Sequence, residues 1–255
     1  MLVDNARGGY AFLKGIAPSS AGVVASPGFE IEHVRFEKPL ALDAGFEALG
    51  QRLEVVGRPP SALCAMELRS PAPYSFEGFA EFNAGYRDRL SGLGLLLEDG
   101  LNPIARTNVA PATEPPPEPA VYGFSYTIPA ENDAPRSFVV AGSGEMPDGI
   151  LEADQIIARG DASEEGMRTK IRFVLDLMTA RLEAMGASWD QVTVTSLYSV
   201  RNLTLFLGGV IPKGIGRARF QSVDWHYSRP PIEEIEFEMD VRGCRREVVI
   251  PGSSG

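Results

Sequence analysis

The stretch TARLEAMGASWDQVTVTSLYSV (Thr179–Val200) aligns without a gap on GQRLEVVGRPPSALCAMELRSP (Gly50–Pro71). Arg52-Leu53-Glu54 falls on Arg181-Leu182-Glu183 and Gly57 on Gly186. Leu63, Ala65 and Leu68 fall on Val192, Val194 and Leu197. Both copies follow one grammar. Apolar residues recur at helical spacing (Phe46, Leu49, Leu53, Val56; Ile171, Val174, Leu175, Met178, Leu182) and stop at the glycine, the residue that most readily ends a helix in the left-handed conformation. A short turn and a β-type run follow, SALCAMELRS in one half and DQVTVTSLYSV in the other. Further strand candidates precede each helix: GVVAS and EIEHVRF in the first half, SFVVAGS in the second. The pattern predicts an α+β fold of two modules, each a mostly antiparallel β-sheet with helices packed on one face.

Between the copies lies APATEPPPEPA (Ala110–Ala120), with five prolines and two glutamates, which cannot continue a helix and reads as a linker or long loop. The expected units are residues 1–118 and 119–255, with a boundary somewhere between about 110 and 135, since VYGFSYTIP suits either the end of one unit or the start of the next. The copies diverge after their shared strand. The first keeps a helical run, FEGFAEFNAGYRDRL (Phe76–Leu90); the second has only NLTLFLGGVIPKGI there, so it is expected to have lost a helix. Each then carries an Ala-Arg pair before a β-prone run: Arg106 in NPIARTNVAP and Arg219 in GRARFQSV.

Composition narrows the partners. Of 255 residues, 44% are apolar and 23% charged, an ordinary globular balance. A net charge of −10 argues against nucleic acid and anionic membranes, so an anionic ligand needs local arginines. Two cysteines give no disulfide framework and point to a reducing compartment. The first fifteen residues do not read as a signal peptide, and no run nears the roughly 18 apolar residues of a membrane span, so a cytoplasmic protein is expected. With only His33 and His226 and no Cys/His cluster, no metal site is expected. GSGEMPDG (Gly142–Gly149) lacks the later glycine of a dinucleotide fingerprint, and GGVIPKGIG lacks the Walker spacing.

Four ordered motifs between Phe138 and Val241 resemble the RidA (YjgF-type) family: FVVAGSGEM, LEAMGASWDQVTVTSLYSV, GRARFQSV and IEFEMDV. The first half is similar in LEVVGRPPSALCAMELRSP, its second helix and PIARTNV, so the chain resembles a tandem of two diverged units with the chorismate mutase-like fold. The resemblance implies a homotrimer with ligand clefts between units and hydrolysis of an enamine or imine, of 2-aminoacrylate or aminomuconate type, to a keto acid and ammonia. It implies Arg219 as the clamp on the substrate carboxylate, Glu236 as the residue that positions or activates water (Glu234 being a register-shifted alternative), and Arg106 as the first-half clamp. Ser143 and Gly144 stand where the family has a Ser-Gly that meets ligand, and Trp225 is placed to wall a cleft. The family's proline before Ala-Arg is Ile104 in one copy and Arg217 in the other, and the first half has no glutamate-bearing closing strand.

The chemistry fits those residue types. A guanidinium holds a carboxylate through two parallel hydrogen bonds. Imine hydrolysis needs beyond that a placed water and an acid–base group of raised pKa, so no cofactor is expected. Other readings stay open: Arg219 as a surface ion pair, Glu234, Glu236, Glu238 and Asp240 as a solvated strand face, a non-catalytic small-acid-binding or assembly module, and a chorismatase-like hydrolase.

Overall fold

The computed structural model describes residues 2–131 and 134–251. The chain opens with three short strands, β1 (Leu2–Asn5), β2 (Tyr10–Leu13) and β3 (Gly22–Ala25), then a long one, β4 (Phe29–Ala41). Helix α1 (Leu42–Val55), strand β5 (Leu63–Arg69), helix α2 (Phe76–Gly92), and strands β6 (Ala105–Pro111) and β7 (Ala120–Pro129) follow. The second half runs β8 (Phe138–Gly144), α3 (Glu164–Ala184), β9 (Val194–Tyr198), α4 (Thr204–Leu207), α5 (Val210–Gly214), β10 (Ser222–His226), β11 (Ser228–Arg229), β12 (Glu238–Arg242) and β13 (Arg246–Ile250).

The repeat decides the local structure. Phe46, Leu49 and Leu53 of α1, and Ile171, Val174, Leu175, Met178 and Leu182 of α3, are the buried faces expected from their spacing. Both helices stop at a glycine of positive φ, Gly57 at 69° and Gly186 at 66°, where a side chain would strain the backbone. Ser75 and Ser163 cap α2 and α3 by accepting from the amides of Gly78 and Gly166.

The strands form a seven-stranded sheet, β1-β2-β3-β8-β12-β9-β10, and a six-stranded sheet, β11-β6-β5-β7-β4-β13. Helices α1 and α2 cover one face of the six-stranded sheet, and α3 one face of the other. The uncovered faces pack on each other through small and apolar residues that include Val23, Ile31, Ala65, Ala105 and Ala141. Pairings are mostly antiparallel, but β5 with β6, β9 with β10 and β4 with β13 run parallel.

The pairing crosses the expected division at the proline run. GVVAS, which the sequence places in the first half, is β3, and it pairs with β8 (Val24 opposite Phe138). β13, from the far end of the chain, runs parallel to β4. VYGFSYTIP lies between β4 and β5 as β7. Where the sequence predicts a lost helix, the chain instead makes two short ones, α4 and α5, interrupted at Gly208-Gly209. No described helix is long and apolar enough to cross a membrane.

Candidate active site

A cavity of about 310 Å³ opens where β6 of one sheet meets the ends of β8 and β12 of the other. That volume suits a small ligand. Its floor is polar, with Arg106 and Asn108 from β6 and Glu238 from β12. Gly142, Ser143 and Gly144 of β8 form one wall, and the 14–21 and 146–151 loops form the rim.

Arg106 is buried, at 6% exposure. Helix α2 holds it: Asn83 Oδ1 accepts from Nη2 at 2.7 Å, and the rings of Phe79, Phe82 and Tyr86 lie 4.9–5.8 Å from the guanidinium carbon. Nη1 is buried with no partner. Burial lowers the Arg106 pKa, but arginine starts so high that the group stays cationic at neutral pH. A buried cation with one nitrogen unpaired is costly, by several kcal/mol for an unmatched charge, and a carboxylate entering the cavity would relieve that cost.

Glu238 is also buried, and its carboxyl is pushed well above the usual range by desolvation and then by the Asp240 charge, against the favourable pull of Arg106. Burial therefore favours its protonated form over the carboxylate. Gly142 makes room for it: a Cβ there would stand 2.3 Å from Glu238 Oε1 and 2.9 Å from Thr107 Cγ2. Its amide donates to Thr107 Oγ1 at 3.1 Å, tying the two sheets together beside the cavity. A Cβ on Gly144 would meet Ile235 at 2.5 Å, so both glycines of Gly142-Ser143-Gly144 are set by the approach of the neighbouring segment.

That segment is held by a buried ion pair. Glu145 and Lys170 are fully buried and 3.0 Å apart, and the Glu145 carboxylate also accepts from the amides of Glu236 (2.7 Å) and Phe237 (3.0 Å). These bonds hold the chain ahead of β12, and the strand begins at Glu238 and not at Ile235. Behind the cavity the interface between the sheets is polar: Tyr198 donates to Asp240 at 2.8 Å, His33 lies 3.5 Å from Glu67, and burial lowers the His33 pKa to about 3, leaving it neutral.

The structure separates the residues marked by the sequence. Arg106, Ser143 and Gly144 line the cavity; Arg219, Glu236 and Trp225 do not. Arg219 is exposed in a short 3-10 turn (Gly216–Phe220) before β10, donating to Gly216 O at 2.9 Å and lying over Phe220. Its predicted equivalence to Arg106 fails in register. Arg106 stands opposite Met66, and the position opposite Thr195, which the repeat equates with Met66, is Val223. Glu236 is paired to Arg201 through two hydrogen bonds of 2.7–2.8 Å, which lower its pKa and suit it to an ion pair rather than to proton donation. Glu234 is likewise paired, to Arg159. Trp225 donates to Ser199 O at 3.0 Å from the edge strand β10. Sequence reasoning passed over Glu238 as a site residue. The period-2 alternation of IEFEMD put it on the same face as Glu236, and only the start of β12 distinguishes them.

Residues 2–248 match the family model described as "2-aminomuconate deaminase CnbZ". The 2-amino-5-chloromuconate deaminase of Comamonas testosteroni is 41% identical over 246 residues, covering 95% of this chain and 96% of its own. Among solved structures, a chorismatase superposes with a TM-score of 0.51 at 12% identity, covering 91% of this chain and 79% of that one, which shows a shared fold alone. A putative endoribonuclease L-PSP from Entamoeba histolytica covers 42% of this chain and 79% of its own, at 13% identity and a TM-score of 0.33. With a family model matched across nearly its whole length and a relative of this identity, the chain belongs to the 2-aminomuconate deaminase family.

Proposed function

We propose that the chain deaminates 2-aminomuconate-type enamines in the cavity between its sheets, with Arg106 as carboxylate clamp and Glu238 as acid–base group. The observation that carries this is a buried guanidinium with an unpartnered nitrogen sharing a small cavity with a buried carboxyl whose pKa desolvation raises. Arg106 takes the carboxylate beside the amino-bearing carbon. Glu238 protonates the neighbouring enamine carbon, which turns the C–N bond into an electrophilic C=N. The carboxylate so formed draws a proton from a water as its oxygen adds to that carbon. Collapse of the carbinolamine returns a proton to nitrogen and expels ammonia, leaving the keto acid: one enamine and one water give one ketone and one ammonia. Ser143 and Gly144 offer a hydroxyl and a close backbone wall to the bound acid.

The same reading takes the fold as a tandem of two RidA-like units in which one cleft per chain is catalytic and the chain assembles as a trimer. On it, Val223 and Ala120 replace the clamp and the acid in the second cleft, Ala120 standing opposite Arg69 where Glu238 stands opposite Tyr198. The test is ammonia release from 2-aminomuconate by the wild-type protein, Arg106→Ala and Glu238→Gln. An active wild type with both variants crippled is expected. Wild-type protein inert towards 2-aminomuconate, or both variants fully active, would reject the reading.

A further inference from the structure

Arg106 accounts for one anionic end of a ligand, yet the cavity carries more positive charge than that end requires. Arg106, Lys14 and Arg181 all line it. Arg181 is already matched: the Asp148 carboxylate accepts from its Nε at 3.3 Å and from Nη2, and Ala141 O accepts from Nη1 at 2.9 Å. Lys14 differs. It follows β2 directly and is exposed, and among the described residues it is in no ion pair.

The loop it leads into is fixed beside β6. The Ser20 amide donates to Ile104 O at 2.9 Å, Ser20 Oγ to Pro103 O at 3.1 Å, and Asn102 Nδ2 to Pro18 O at 2.7 Å. Lys14 thus leads into an anchored loop and lines the rim of the cavity whose floor holds Arg106. Phe79, Met146, Ile150 and Ile235 line the same cavity and offer apolar side chains. One cation in the floor, one at the rim and apolar walls suit a ligand with a carboxylate at each end of an unsaturated hydrocarbon chain.

We infer that Lys14 binds the distal carboxylate of the substrate and makes the cavity selective for dicarboxylic over monocarboxylic acids. This rests on the reading of the cavity as the deaminase site. A rim lysine is solvated, and its pairing is worth less than that of a buried guanidinium, so the expected effect is about fivefold in affinity.

Muconate and sorbate test it, because both are six-carbon dienes and only muconate has the second carboxylate. Binding of each is measured by calorimetry to wild type, Lys14→Met and Arg106→Ala, with melting temperatures checked for each. The expected result is that Lys14→Met weakens muconate about fivefold and sorbate less than twofold, while Arg106→Ala abolishes binding of both. If Arg106→Ala abolishes binding but Lys14→Met leaves muconate unchanged, or weakens both acids alike, the role of Lys14 is overturned and the site stands. If neither acid binds wild type, or Arg106→Ala leaves both bound, the site reading fails and the inference fails with it.

Discussion

β6 and β10 occupy matching places, each running parallel to the strand that follows its sheet's long helix, yet their environments are opposite. β6 is buried along nearly its whole length, with α2 over one side and the second sheet near the other. β10 is an edge strand, exposed at Ser222, Asp224 and Trp225. The seventeen-residue α2 supplies Phe79, Phe82, Asn83 and Tyr86, which together hold the Arg106 guanidinium. Nothing comparable stands over β10, because α4 and α5 are short and interrupted at Gly208-Gly209. The guanidinium of an Ala-Arg pair is therefore buried only where a helix can pack around it. The same dipeptide without that cover stays in solvent.

Four substitutions break or sharpen this contrast. The largest effect is expected at Glu238, where Glu238→Gln should lower kcat by about 10²- to 10⁴-fold, measured as ammonia release under saturating substrate. The same variant should be the more stable at neutral pH. Burial holds the folded-state pKa above the unfolded one. Between those values the unfolded chain releases a proton that the folded chain keeps, so wild-type stability falls as pH rises. The glutamine variant lacks that slope, and its advantage should grow through the window by up to about 1.4 kcal/mol per pH unit, read from denaturant midpoints against pH. A wild type with no such slope would show that Glu238 titrates normally.

Next is Arg106→Ala, which removes a buried charge partner worth roughly 2–5 kcal/mol; kcat/KM should fall about 30-fold or more. Smaller is Gly142→Ala, whose methyl group displaces the Glu238 carboxyl. A misplacement on the order of 1 Å should lower kcat by about 10- to 10²-fold, with little change in muconate affinity. The smallest is Arg219→Ala, expected to change kcat/KM by less than about twofold, in line with a surface substitution. A large loss there would return the clamp to the second half and undo the contrast drawn from register.

Much of the fold was legible because it is local. Helix periodicity, the glycine stops at Gly57 and Gly186 and the β-type runs after them depend on neighbours a few residues away. The resemblance to a deaminating family also came from short ordered motifs. The arginine and glutamate were harder to place. The repeat treated Arg106 and Arg219 as equals because each follows an alanine before a strand, whereas pairing puts Val223 in the counterpart position. Glu236 and Glu238 alternate identically in the sequence, and tertiary contacts tell them apart: the Glu145 carboxylate accepts from the amides of Glu236 and Phe237, and Ser199 Oγ donates to Glu236 O just ahead of the strand.

Sequence by itself determined the long helices α1, α2 and α3, the strands that follow α1 and α3, the net acidic charge and the kind of chemistry the side chains can perform, since these follow from composition and short-range spacing. Tertiary structure alone decided that β3 joins β8, that β13 joins β4, and that a cavity forms where the two sheets meet. It also decided which arginine is buried and which carboxyl is desolvated. Burial and pairing are set by groups far apart in the chain, and desolvation, which shifts both Arg106 and Glu238, exists only once those groups have been brought together.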